Sequence, residues 1–91
     1  MSVVYEDQFK SELRNILSFI ARDKKSTANK FAYDLKELIE TTLARNPKMY
    51  KVSLYFSDEN YHDMVFKGYT IIYKMVENEI RVLDVFKWQI R

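Results

Sequence analysis

Cysteine is absent from the chain, and glycine, proline and histidine occur once each, at Gly68, Pro47 and His62. The first absence excludes disulfides and thiolate metal sites, and a lone histidine leaves a histidine-rich metal centre without ligands. The expectation is a fold held by packing alone, with no cofactor and no metal. No apolar run approaches the roughly 20 residues that a membrane-spanning helix needs. The opening MSVVYEDQFK has no signal-peptide apolar region, so the reading is a cytoplasmic protein with no membrane partner. An excess of charge is missing too: 15 Lys and Arg stand against 13 Asp and Glu, a net charge of +2, and neither half departs from that balance. A nucleic-acid role would have to rest on a local patch.

What is present is apolar and aromatic. With 47% hydrophobic and 15% aromatic residues in 91, the chain has enough apolar surface for one core and too much for disorder, and residues 1–91 are expected to form a single domain.

The β-branched and aromatic run SVVY at residues 2–5 predicts a short strand, after which Glu6 and Asp7 supply capping and first-turn negative charge for a helix starting near residue 7. Phe9, Leu13, Ile16, Leu17 and Ile20 share one face of that helix. The polar stretch RDKKS interrupts the pattern, and Ser26 is the expected cap of a second helix. There Phe31, Leu35, Leu38, Ile39 and Leu43 repeat the periodicity. Pro47 ends it, since the residue before a proline is pushed out of the helical region.

From residue 49 the period changes. MYKVSLYF, YHDMVF, YTIIYKMV and IRVLDVFKW read as consecutive strands separated by SDEN, KG and ENE, although the first of these runs also suits an extended loop. Gly68 marks a two-residue hairpin turn, where positive φ favours glycine. Alternation along the third run puts Tyr69, Ile71, Tyr73 and Met75 on one face, with the tyrosines expected in the core. The predicted fold is α+β: an N-terminal strand, then a two-helix hairpin packed on one face of a mostly antiparallel, three- to four-stranded C-terminal sheet.

The segment NPKMYKVSLYFSDENYHDMVFKGYTIIYKM, followed by IRVLDVFK, resembles the C-terminal half of RelE/ParE-family toxins of bacterial type II toxin–antitoxin systems. The residues in common are Asn46, Pro47, Met49, Ser53, Tyr55, Phe56, Asp58, Glu59, Asn60, Asp63, Lys67, Gly68, Tyr69 and Tyr73. The resemblance implies a toxin that inhibits growth or stabilises a plasmid, with a cognate antitoxin protein as partner. Its action would be ribosome-dependent cleavage of messenger RNA, as by an endoribonuclease of the mRNA-interferase kind. The alternatives are non-enzymatic inhibition of DNA gyrase and a degenerate member that only binds its antitoxin. The departures fall on chemically important positions: Lys51 replaces an arginine, Val52 a lysine and His62 an arginine. Thr70 stands where an arginine is usual, and Lys87 and Trp88 occupy the region of the family's histidine, arginine or tyrosine.

A ribonuclease of this kind needs a base for the 2′-hydroxyl, cations for the developing phosphate charge and an acid for the 5′-oxygen. The candidate catalytic set is His62, Lys51 and Lys87, because an imidazole titrates near neutral pH and ammonium groups hold phosphate. Lys67, Arg81, Trp88 and Arg91 are candidates for binding RNA or another target, Trp88 by stacking on a base or by covering the core. The resemblance implies an antitoxin segment laid over the two helices and a sheet edge, with Phe19, Phe31 and Tyr33 as apolar contacts.

Overall fold

The computed structural model describes residues 1–87. Its elements are β1 (Ser2–Tyr5), α1 (Asp7–Asp23), α2 (Lys25–Glu37), a π-helical segment (Leu38–Leu43) that continues α2, β2 (Tyr61–Phe66), β3 (Tyr69–Val76) and β4 (Glu79–Lys87). Trp88 and Arg91 lie outside the described residues.

The four strands form one sheet in the order β1-β4-β3-β2. The last three are an antiparallel meander, whereas β1 lies parallel to β4 and pairs Ser2 with Glu79 and Tyr5 with Val82. A parallel neighbour needs a long crossover, here supplied by everything between β1 and β4. The β2–β3 turn has positive φ at both central residues, Lys67 (49°) and Gly68 (85°), the requirement of a type I′ turn.

Hydrophobic periodicity explains the core. Phe9 from α1, then Phe31, Leu35, Ile39 and Leu43 from the second helix, pack on Met64, Ile71, Tyr73, Ile80, Val82 and Val85. Strict alternation along β4 would place residues 80, 82 and 84 together. The β3–β4 register instead shifts, with Ile72 opposite Asp84 and Tyr73 opposite Val82. Leu83 is therefore an extra residue, and this bulge turns Val85 into the core in place of Asp84.

Three expectations are corrected. Ser26 does not cap α2: the cap position is Lys24, in extended conformation (φ −154°), and a single non-helical residue suffices because its carbonyl already accepts the amides of Thr27 and Ala28. The run at 49–56 forms no strand, only the single bridge Val52–His62. Its next amides are taken by side chains, Leu54 by the Asp63 carboxylate at 3.0 Å and Tyr55 by Ser53 Oγ at 3.1 Å. Such local acceptors compete with a ladder. Phe31 is buried, not a surface contact, at 5% exposure. Its ring meets Phe66 and Tyr69 edge-on at 5.3 and 5.4 Å.

No heavy atom lies within 4 Å of a Cβ built on Gly68, so any penalty there is torsional. Gly68→Ala should cost about 1 kcal/mol in urea unfolding and Gly68→Val about 1–2 kcal/mol, with Gly68→Asn closer to the parent because asparagine tolerates the left-handed region. Equal stability for all four proteins would contradict this account of the turn.

Candidate functional site

The sheet has two unlike faces. Helices cover one. On the other, cross-strand rows place Asp63, Ile72 and Asp84 together and Val65, Thr70 and Phe86 together. Asp63, Ile72 and Thr70 are buried there although no helix covers them. Their cover comes from the segment after Pro47. Leu54 is tied to Asp63, and the Tyr55 ring meets Phe86 edge-on at 5.3 Å. The Phe56 ring returns to stack on Tyr61 at 4.3 Å. This loop crosses the outer face from β2 towards β4.

The same segment seals the first half of the β2 edge. Asp63 N–H donates to the Lys51 carbonyl at 3.1 Å and Ser53 N–H to the Tyr61 carbonyl at 2.7 Å. Tyr73 Oη–H donates to the Pro47 carbonyl at 2.6 Å, and burial raises that phenol's pKa above its ordinary value, with the neighbouring Tyr50 and Asp63 adding to the effect. Proline 47 thus both stops the helix and anchors the strap that follows it.

His62 belongs to the inner face and is 5% exposed. Its ring stacks on Tyr73 at 5.3 Å, and Nδ1 lies 2.9 Å from the Tyr50 carbonyl. A carbonyl only accepts, so Nδ1 carries the proton and Nε2 of the neutral ring is the acceptor. That nitrogen is enclosed and has no partner among the described residues. An open cleft of about 260 Å³ beside the ring is lined by Lys48, Val52, Glu59, Asn60 and Met75.

The candidate catalytic residues are not brought together. Lys51 is exposed on the strap beyond β2. Lys87 pairs with Tyr69, four residues along β3 from the Tyr73 that pairs with His62. That is about 13 Å along the strands and about 10 Å across them. The candidate binding cations are engaged within the protein. Lys67 Nζ lies 3.3 Å from Asp34 Oδ2 and 5.3 Å above the Phe66 ring. Arg81 meets Glu6 at 2.6 Å and Glu79 at 2.7 Å. The outer face instead presents the carboxylates of Asp63 and Asp84 on either side of Ile72, a poor cradle for phosphate. Among the described residues no group of three His, Cys, Asp or Glu side chains is placed to hold a metal ion, and no helix is long and apolar enough to cross a membrane.

Of the apolar helix candidates, Phe19 and Tyr33 are exposed, at 61% and 66%. Phe19 lines an open groove of about 340 Å³ with Ile16, Tyr69, Val85 and Phe86. A second groove, of about 280 Å³, runs between the helices beside Tyr5, Phe9, Leu13, Ala32 and Leu35. At its rim Tyr5 Oη–H donates to Glu40 at 2.7 Å. Burial, reinforced by that carboxylate, keeps the phenol protonated beyond its ordinary range. Sequence reasoning missed the exposed stretch at Leu54–Phe56. Its apolar residues read as half a strand, and only the consecutive polar residues of SDEN hinted that the pattern stops.

A helical hairpin on a mixed sheet whose first and last strands run parallel is the architecture of the RelE/ParE class of small toxins. A family model described as the ParE toxin of the type II toxin–antitoxin system, parDE, matches residues 3–88, so the chain belongs to the ParE toxin family. No curated protein sequence matches it. Among solved structures it is similar to a chain of the chromosomal ParDE TA system from P. aeruginosa, with a TM-score of 0.78 and 15% identity over 98% of this chain and 97% of that one. It is also similar to a chain of the E. coli DinJ–YafQ complex, with a TM-score of 0.54 and 23% identity over 94% and 91%.

Two measurements probe these tethers. Asp63→Ala should raise amide exchange at residues 53–56 while β3 stays protected, at a cost of about 1–3 kcal/mol for the orphaned Leu54 N–H; unchanged exchange would mean the carboxylate does not hold the loop. The Asp34 carboxyl lies below its ordinary range because Lys30 donates to it, with Lys67 adding a weaker share. The stability lost in Asp34→Asn should therefore be full above the ordinary aspartate pKa of 3.8 and should vanish as pH falls through the lowered folded-state value. A difference that persists at lower pH would exclude the ionised carboxylate as its source.

Proposed function

We propose that this ParE-family toxin acts by binding DNA gyrase without cutting RNA, and that a cognate antitoxin neutralises it. The observation that carries the reading is the dispersal of the groups a ribonuclease needs. General acid–base chemistry requires the acid, the base and the reacting atoms within hydrogen-bond reach. His62 is enclosed with its Nδ1 committed to Tyr50, Lys87 lies at the opposite end of the sheet, and the outer face carries Asp63 and Asp84 under the loop that covers it. Arg81 and Lys67, which would have held phosphate, are neutralised by Glu6, Glu79 and Asp34. A messenger RNA on programmed ribosomes would meet no convergent cationic site among the described residues.

Inhibition by binding asks for something different, a preformed surface with exposed apolar anchors, and the domain has such surfaces on both of its layers. Exposed Phe19 and Tyr33 and the two apolar grooves beside α1 support antitoxin docking on the helical side. An extended segment ordering there would bury apolar area at an entropic cost.

The test measures both activities on the same purified, folded protein. Supercoiling by gyrase should be inhibited, and messenger RNA on programmed ribosomes should stay intact. Cleavage of the ribosome-bound message with supercoiling unaffected would reverse the reading. Normal growth of cells that accumulate the folded protein would favour the degenerate member.

A further inference from the structure

The loop over the outer face is ordered by hydrogen bonds yet exposes its apolar side chains. Leu54 is 78% exposed, Tyr55 52% and Phe56 43%, with Met49 and Val52 exposed beside them. This exposure is not a consequence of slack. The Leu54 and Tyr55 amides are bonded to Asp63 and Ser53. The rings of Tyr55 and Phe56 lean on Phe86 and Tyr61. A preformed loop pays its ordering entropy on folding, so the cost is not repeated on binding. Contiguous apolar side chains held out to water mark interaction sites.

Charge indicates the partner's chemistry. Arg45, Lys48 and Lys51 are exposed around this patch, and none forms an ion pair with a described carboxylate. They contrast with Lys67 and Arg81, which are satisfied internally. An apolar centre with a basic rim is the anatomy of a protein–protein interface whose partner is acidic. A second copy would bring the same three cations to the contact and repel them.

We propose that the loop Val52–Phe56, rimmed by Arg45, Lys48 and Lys51, is the surface with which the toxin engages its target. The partner is a folded protein offering an apolar pocket for Leu54 within a carboxylate-rich surround. The inference rests on the gyrase reading for the identity of that partner. The patch lies on the sheet side, apart from the grooves beside α1, so target engagement and neutralisation use different surfaces.

Leu54→Asp alters an exposed side chain and leaves the backbone bond to Asp63 in place, so thermal unfolding should match the parent. Its inhibition of purified gyrase should weaken at least tenfold, and Lys48→Glu with Lys51→Glu should weaken binding and flatten its dependence on salt. Parental potency in both folded variants would overturn the assignment of the surface. If the parent leaves gyrase unaffected, the partner's identity falls with the functional reading; loss of growth arrest by Leu54→Asp would then still support the surface, and retained arrest would overturn it. Loss of neutralisation by the co-encoded antitoxin with gyrase inhibition intact would assign the patch to the antitoxin. A dimer in sedimentation that Leu54→Asp dissociates would assign it to a second copy. Either result would overturn the proposal.

Discussion

Residues Pro47–Leu54 are pinned to β2 and β3 from both sides of the sheet. On the inner side Tyr73 donates to the Pro47 carbonyl and His62 to that of Tyr50. Along the edge Asp63 and Ser53 complete two backbone bonds with the strap. On the outer side the Asp63 carboxylate takes the Leu54 amide. Because successive strand residues point to opposite faces, the neighbours His62 and Asp63 hold one segment from two directions. Breaking this grip would uncover Ile72 and Thr70 on the outer face, open an edge strand to unwanted pairing, and release the loop that displays Leu54. The two layers of the domain, helices within and a short loop without, meet at this strap.

The same pinning accounts for the chemistry. An imidazole that serves as a loop fastener, with one nitrogen bonded to a carbonyl and the other enclosed, cannot exchange protons with a substrate on the outer face. Cations that would serve phosphate are spent on tertiary tethers: Lys67 joins the hairpin tip to α2, and Arg81 joins β4 to the start of α1. What remains accessible is apolar surface ringed by unengaged lysine and arginine, which suits recognition of a protein more than hydrolysis of a phosphodiester.

The helical hairpin was legible because a 3.6-residue period in Phe9, Leu13, Ile16, Leu17 and Ile20 and again in Phe31, Leu35, Ile39 and Leu43 has one physical reading, a buried face. The stop at Pro47 and the turn at Gly68 were legible for the same kind of reason, since each follows from backbone sterics of a single residue. Phe31 illustrates the limit. Its place on the apolar stripe was visible, but its contact with Phe66 and Tyr69 depends on how the helix lies across the β2–β3 hairpin.

Local composition alone determined that this chain is an α+β domain without cysteine or metal chemistry, with two amphipathic helices followed by a meander, because those properties follow from steric and hydrophobic preferences within a few residues. Tertiary structure decided the rest. The parallel pairing of Ser2 with Glu79 joins residues from opposite ends of the chain. The Leu83 bulge turns Val85 inward in place of Asp84, and its position follows from register against β3. His62 faces the core and not a substrate because the strand alternation had to be anchored by Met64, Ile71 and Tyr73 before either face could be told from the other. Leu54 and Tyr55 became a display loop only because Asp63, a residue on another strand, captured the amide that a ladder would have used.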